Sequence, residues 1–241
     1  MFDKKVMIVA LGLFVSYCHA MESENGQPFL DDSVLNAYYE YVMQKNAGYP
    51  DIEHKPLMIM LSGCCGMGKT MVAKKLQEEL GIIRFNGDDA REFLKPLHAF
   101  HVSMPVATKV GKILTSFSHL VEHVKDEVPN KAVIFDESID RQDPTMYNLV
   151  TEIARKYDYP TFVIRLNVAK EVAFQRVMRR EGNSAENMSH YRKNFENYYG
   201  VYERFDTRIV DYYVANNDGE YRIDDVLRQK IESIIIPQNN Q

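Results

Sequence analysis

Two kinds of apolar run alternate along the chain. Short unbroken runs occupy Leu57–Leu61, opened by Pro56, then Gly81–Phe85, Lys131–Phe135, Thr161–Leu166 and Arg208–Ala215. Each fits a strand covered on both faces. Between them, apolar residues recur at the three- and four-residue steps of one helix face. Positions 72, 73, 76 and 80 mark one such helix, stopped by Gly81. Val106, Val110, Ile113, Leu114, Phe117, Leu120, Val121 and Val124 mark a longer one over 105–126. Further helices are expected from Ala90, over 145–157 behind an Asp143-Pro144 cap, over 169–181 and over 223–235. Another covers 191–205, broken at Tyr198-Tyr199-Gly200. Ahead of the first strand, Ser33 is read as the cap of a helix over 34–43. That helix is expected on the outside of the domain, with no chemistry assigned. Five strands separated by helices predict an α/β fold: a parallel five-stranded sheet, doubly wound, with helices on both faces and right-handed crossovers.

The junction after the first strand carries the strongest chemical signal. Gly63-Cys64-Cys65-Gly66-Met67-Gly68-Lys69-Thr70 fits G-x-x-x-x-G-K-[ST], with an extra glycine at Gly66. Such a loop points successive backbone N–H groups inward, and the helix N-terminus faces the same anion. Lys69 has the reach for β- and γ-phosphates, and the Thr70 hydroxyl suits Mg²⁺. The bland alternative is a glycine turn that happens to carry Lys-Thr. Strand, loop and helix together favour a site for ATP or GTP with Mg²⁺.

Other candidates sit where strands end, at the rim on which open α/β sheets bind ligands. Asp88 is placed to accept a hydroxyl proton and Arg91 to hold an anion on the acceptor. Either Asp88 or Asp89 alternatively serves as a helix cap. Asp136 closes a buried apolar strand and suits Mg²⁺ through water, while the adjacent Glu137 suits activation of water. Arg176 and Arg180, four apart, share a helix face and suit a transferring phosphoryl group; a solvated basic face is the alternative. The loop 96–104 is positioned to cover an acceptor, with His98 and His101 in it.

Composition narrows the classes. The 241 residues carry a formal net charge of −5, so no global basic field holds nucleic acid nonspecifically. Residues 1–20 have the layout of a secretory signal: Lys4 and Lys5, an apolar run from Val6 to Val15, then Cys18-His19-Ala20. Cleavage there leaves no stable membrane anchor and a secreted or periplasmic chain. The chain holds three cysteines and no disulfide framework. Because a phosphate donor is needed, delivery into a nucleotide-containing host compartment is the expectation that reconciles the two. Residues 21–54 form a helical extension and 55–236 the main domain.

Residues 55–236 resemble the P-loop kinases. Asp88-Asp89-Ala90-Arg91 looks like the Asp-Asp-x-Arg signature of the polynucleotide kinase group, and Arg176-x-x-x-Arg180 is similar to that group's lid arginines. The chain is also similar to zeta-toxin-type kinases, with an Asp after the second strand, a long helix and a strand with an acidic tip. The resemblance implies transfer of the γ-phosphate of ATP to a hydroxyl of a small molecule, a nucleotide-sugar or a nucleic-acid end. It implies that Lys69 holds the donor, Thr70 and Asp136 hold Mg²⁺, and Asp88 takes the acceptor proton. Arg91 holds a phosphate beside that hydroxyl, Arg176, Arg179 or Arg180 steadies the transition state, and Asn216 contacts adenine. Cys64-Cys65 and Glu137 depart from the families' usual residues. Hydrolysis driven by Glu137, or nucleotide binding without turnover, are the competing readings.

Overall fold

The structure, a computed structural model, describes residues 30–101, 103–140, 145–181, 185–215 and 225–237. The signal-like stretch 1–20, the Asp143-Pro144 cap, the Gly182-Asn183-Ser184 segment and Asn216 lie outside the described residues. Five strands form one sheet: β1 (Met58–Ser62), β2 (Ile83–Asn86), β3 (Val133–Ser138), β4 (Thr161–Asn167) and β5 (Tyr212–Ala215). Their order is β2-β3-β1-β4-β5, and every paired neighbour is parallel.

Eight helices surround the sheet: α1 (Asp32–Asn46), α2 (Lys69–Leu80), α3 (Gly87–Leu94), α4 (Val106–Glu127), α5 (Thr145–Lys156), α6 (Lys170–Glu181), α7 (Ala185–Arg204) and α8 (Asp225–Ile235) among the described residues. The apolar strands are unbroken because both faces are covered. Met58 and Met60 of β1 join the core under α1, α3, α4 and α5, while Ile59 and Leu61 join the core with α2, α6, α7 and α8. Among the described residues no helix is long and apolar enough to cross a membrane.

Four local readings are corrected. Asp31 caps α1, accepting from the Val34 amide at 3.0 Å, and the Ser33 hydroxyl donates to that carboxylate. The helix starts earlier than read, and its Leu35, Tyr38, Tyr39 and Val42 belong to the core. Asn86 caps α3 by accepting from the Asp89 amide at 2.9 Å, so neither Asp88 nor Asp89 is consumed as a cap. The fifth strand begins only at Tyr212. Asp206 accepts from the Arg208 amide at 3.0 Å and turns Thr207–Ile209 into a 3₁₀ turn instead. Finally, α7 runs through Gly200 without a break, because burial of Phe195 and Tyr202 outweighs the roughly 1 kcal/mol a mid-helix glycine costs.

Candidate active site

The phosphate loop lies at the C-terminal end of the central strand, where the chain leaves β1 for β2 on one side and later crosses to β4 on the other. That crevice is the usual ligand position in such sheets. Gly66 and Gly68 take φ of 77° and 94°, in the left-handed region that favours glycine. A Cβ on Gly66 would run into the backbone carbonyl of Ala173 on α6. Gly68 is the N-cap of α2 and offers no side chain to its first turn, leaving that end open to an anion. Lys69 Nζ donates to the carbonyls of Gly63 at 2.7 Å and Cys64 at 3.2 Å. Met67 is fully buried beneath the loop, its Sδ accepting from the Cys64 amide at 3.1 Å.

A polar network that sequence reading missed fixes the start of the loop. The Ser138 hydroxyl lies 2.6 Å from the Gly63 carbonyl and 2.5 Å from Asp140 Oδ1. The buried Asp140 also accepts from Ser62 at 3.2 Å, and Arg165 Nη1 reaches Ser62 at 3.4 Å. Arg165 in turn donates to the Tyr202 carbonyl at 2.9 Å and lies 3.8 Å above its ring. Each buried polar group thereby finds a partner. The only sequence sign was a lone arginine inside an otherwise apolar strand.

The two residues predicted to hold Mg²⁺ lie together: Thr70 Oγ1 donates to Asp136 Oδ1 at 3.2 Å. The other oxygen of Asp136 accepts from Arg84 Nε at 2.8 Å, Arg84 Nη2 at 2.6 Å and Asn86 Nδ2 at 2.6 Å. One carboxylate oxygen is thus saturated, and the other stays on the threonine side. A hydroxyl and a carboxylate oxygen at this spacing form a hard-oxygen pair, which suits Mg²⁺ retaining its water shell. The pair exists because β3 slips its register against β1. Met60 pairs with Phe135 but Leu61 pairs with Ser138, so Asp136 and Glu137 are extra residues on the β3 side of that pairing.

Three rim residues singled out from the sequence are gathered by one arginine. Arg91 on α3 pairs with both Asp88 and Glu137. The Asp88 side chain is 84% exposed and that of Glu137 only 12%. Arg180, near the end of α6, adds positive charge next to Cys65. Arg176 lies one turn earlier and partly exposed, and Arg179 is exposed.

Two clefts open here. A cavity of about 420 Å³ is lined by Thr70, Lys74 and Gln77 of α2, by Arg84, Asn86, Asp88 and Asp89, and by Tyr38, Tyr41, Lys45, Asn46 and Tyr49 at its outer wall. The N-terminal helix, assigned no chemistry from sequence, therefore builds one wall of the space between Thr70 and Asp88. A smaller cavity of about 100 Å³ holds Cys64, Cys65, Lys69, Glu137, Ser138, Asp140 and Tyr198.

Fold and site together define a P-loop kinase-like, nucleotide-binding protein. The sequence profile of the zeta toxin family matches residues 40–223, and the chain belongs to that family. No curated protein sequence matches it. Among solved structures, the APS kinase CysC of Mycobacterium tuberculosis, in complex with AMPPNP and APS, aligns at 15% identity. That alignment spans 74% of this chain and 96% of the other, with a TM-score of 0.52. A structure from the PezAT chromosomal toxin-antitoxin system of Streptococcus pneumoniae aligns at 14% identity over 85% and 88%, also with a TM-score of 0.52. Both likenesses concern the fold.

Proposed function

We propose that this protein is a kinase that moves the γ-phosphate of ATP to an acceptor hydroxyl on a small molecule, a nucleotide-sugar or a nucleic-acid end. The observation that supports this most is the shared border of the larger cleft, where Thr70 of the donor loop and Asp88 of the acceptor rim line one space. Loop amides and Lys69 hold the donor phosphates. Thr70, and Asp136 through water, would hold Mg²⁺, which neutralises charge on the transferring group. Asp88 accepts the hydroxyl proton, and Arg91 orients the acceptor while keeping Asp88 and Glu137 in register. Arg180 and Arg176 supply positive charge from the α6 side. The net charge of −5 disfavours a long polynucleotide as acceptor.

One observation favours a second reading. Glu137 shares the smaller cleft with Lys69, where a carboxylate is placed to activate water. Labelled transfer separates the two. The full chain is incubated with Mg²⁺ and γ-labelled ATP, then with nucleotide-sugars, nucleosides, 5′-hydroxyl oligonucleotides or proteins. Label on one acceptor class, cut about 10²-fold or more in Asp88→Asn, is the expected result. Free phosphate alone, insensitive to Asp88→Asn and lost in Glu137→Gln, would overturn the kinase in favour of a hydrolase.

A further inference from the structure

Neither thiol of the phosphate loop has a part in the chemistry above. Cys64 and Cys65 are both free, with their Sγ atoms 3.5 Å apart. Cys65 is half-buried and Cys64 lies beneath it at 3% exposure, and both line the smaller cleft. We infer that Cys64 and Cys65 form a thiol-modification site, a dithiol that exchanges with low-molecular-weight disulfides and closes into an intraloop disulfide that holds nucleotide more weakly.

The surroundings set the order of events. A hydrogen bond from Cys64 holds the Cys65 thiol below its ordinary value, with help from the Lys69 and Arg180 charges, and burial opposes this. The same contact and burial push Cys64 up. The thiolate is the attacking species, so Cys65 reacts first. Its sulfur attacks one sulfur of the external disulfide, that S–S bond breaks, and one external thiolate leaves and takes a proton. With Cys65 capped, Cys64 no longer shares a proton with it. Cys64 gives its proton to solvent, attacks the Cys65 sulfur and expels the second external thiol. Two protein thiols are oxidised, and one external disulfide is reduced to two thiols.

Closure must reshape the loop. A disulfide brings the sulfurs to about 2.05 Å, well inside their present separation, and the peptide joining the two residues is part of the phosphate cradle. That peptide has little room to turn. The Cys64 amide is held on Met67 Sδ, the Cys64 carbonyl on Lys69, and Gly66 is pressed against the Ala173 carbonyl. Turning it releases the first contact and moves Lys69's partner. Bound nucleotide has the opposite effect, since its phosphates repel an anionic attacking sulfur and cover the cleft.

The test uses the full chain carrying Cys18→Ser, which leaves only Cys64 and Cys65 of the three cysteines. It is equilibrated with mixtures of reduced and oxidised glutathione, followed by peptide mass and by binding of a fluorescent ATP analogue. The expected result is a peptide holding both cysteines that has lost two hydrogens. Nucleotide affinity should fall at least about tenfold, as when one charge-assisted hydrogen bond is lost, and dithiothreitol should restore it. Mg²⁺-ATP should slow the closure, and adding Cys65→Ser should abolish the response to oxidant. A chain that stays reduced or stops at a mixed disulfide overturns the proposal. So does a closed disulfide with unchanged affinity, or a Cys65→Ser chain that still loses affinity under oxidant. If the reduced chain binds no nucleotide, the phosphotransfer reading and the unloading half of this proposal fall together, and the mass readout alone decides the exchange.

Discussion

Eight consecutive residues, Gly63 to Thr70, build the proposed donor end of the site, whereas the proposed acceptor rim draws Asp88 and Arg91 from α3 and Glu137 from the end of β3, 46 residues beyond Arg91. The donor end is mostly backbone: left-handed glycines, an open helix terminus and carbonyls that receive Lys69. The rim is mostly side chain, three charged groups held by one another. A backbone site tolerates little change of conformation, because its donors cannot be replaced singly. A side-chain site is exposed to any substitution that removes one charge.

The largest effect on turnover is expected at the lysine of the proposed donor loop. Lys69→Met should lower turnover by about 10³-fold, measured with saturating acceptor, and a loss under tenfold would mean that the loop amides alone carry the donor. Gly66→Ala tests the backbone directly. A Cβ there meets the Ala173 carbonyl and strains a positive φ, so the loop must shift. A displacement near 1 Å costs about 10²-fold, with nucleotide affinity falling alongside. On the rim, Arg91→Gln should raise acceptor KM about tenfold and leave nucleotide affinity unchanged. An equal loss of both would erase the distinction between the two ends.

The smallest effect on activity is expected at the opposite end of the sheet. His54 precedes β1, is buried, and accepts from the Ala132 amide at 3.3 Å. Burial, followed by the Lys131 charge, depresses its folded-state pKa from 6.5 to about 4. The unfolded chain therefore binds the proton first. Stability from this group is complete above pH 6.5 and drains away as pH falls toward 4, by up to about 3 kcal/mol. His54→Gln should flatten that part of the melting-temperature profile and leave turnover at neutral pH alone. An unchanged slope in the variant would assign the acid loss to other groups.

Sequence patterning reached the five strands, their parallel arrangement and the glycine loop between β1 and α2, because each is encoded over a few adjacent residues. Asp136 with Thr70 was also legible, since an acid at the tip of an apolar strand has few other uses. The links between distant elements were not. Nothing local in Arg84 or Asn86 announces that both bond to Asp136. Nothing local in Arg91 shows that it reaches Glu137 as well as Asp88. The Asp31 cap was missed for a different reason: Ser33 is an equally good capping type, and only geometry shows that its hydroxyl serves the aspartate. The tyrosines of α1 read as packing, and Tyr38 and Tyr39 do pack. The second use of Tyr38, with Tyr41, as a cleft wall follows from where the helix lands.

The landing of α1 has a consequence for solubility. β2 is an outermost strand of the sheet, so part of its backbone faces away from any neighbour. The Asn46 side-chain oxygen accepts the Arg84 amide at 3.1 Å and also the Gln77 side chain, while Lys45 pairs with Asp89 at 3.1 Å. One carboxamide thus occupies a backbone donor that would otherwise template a foreign strand. A chain shortened past residue 46 would bare that edge, and its first failing would be clumping during expression rather than slow catalysis.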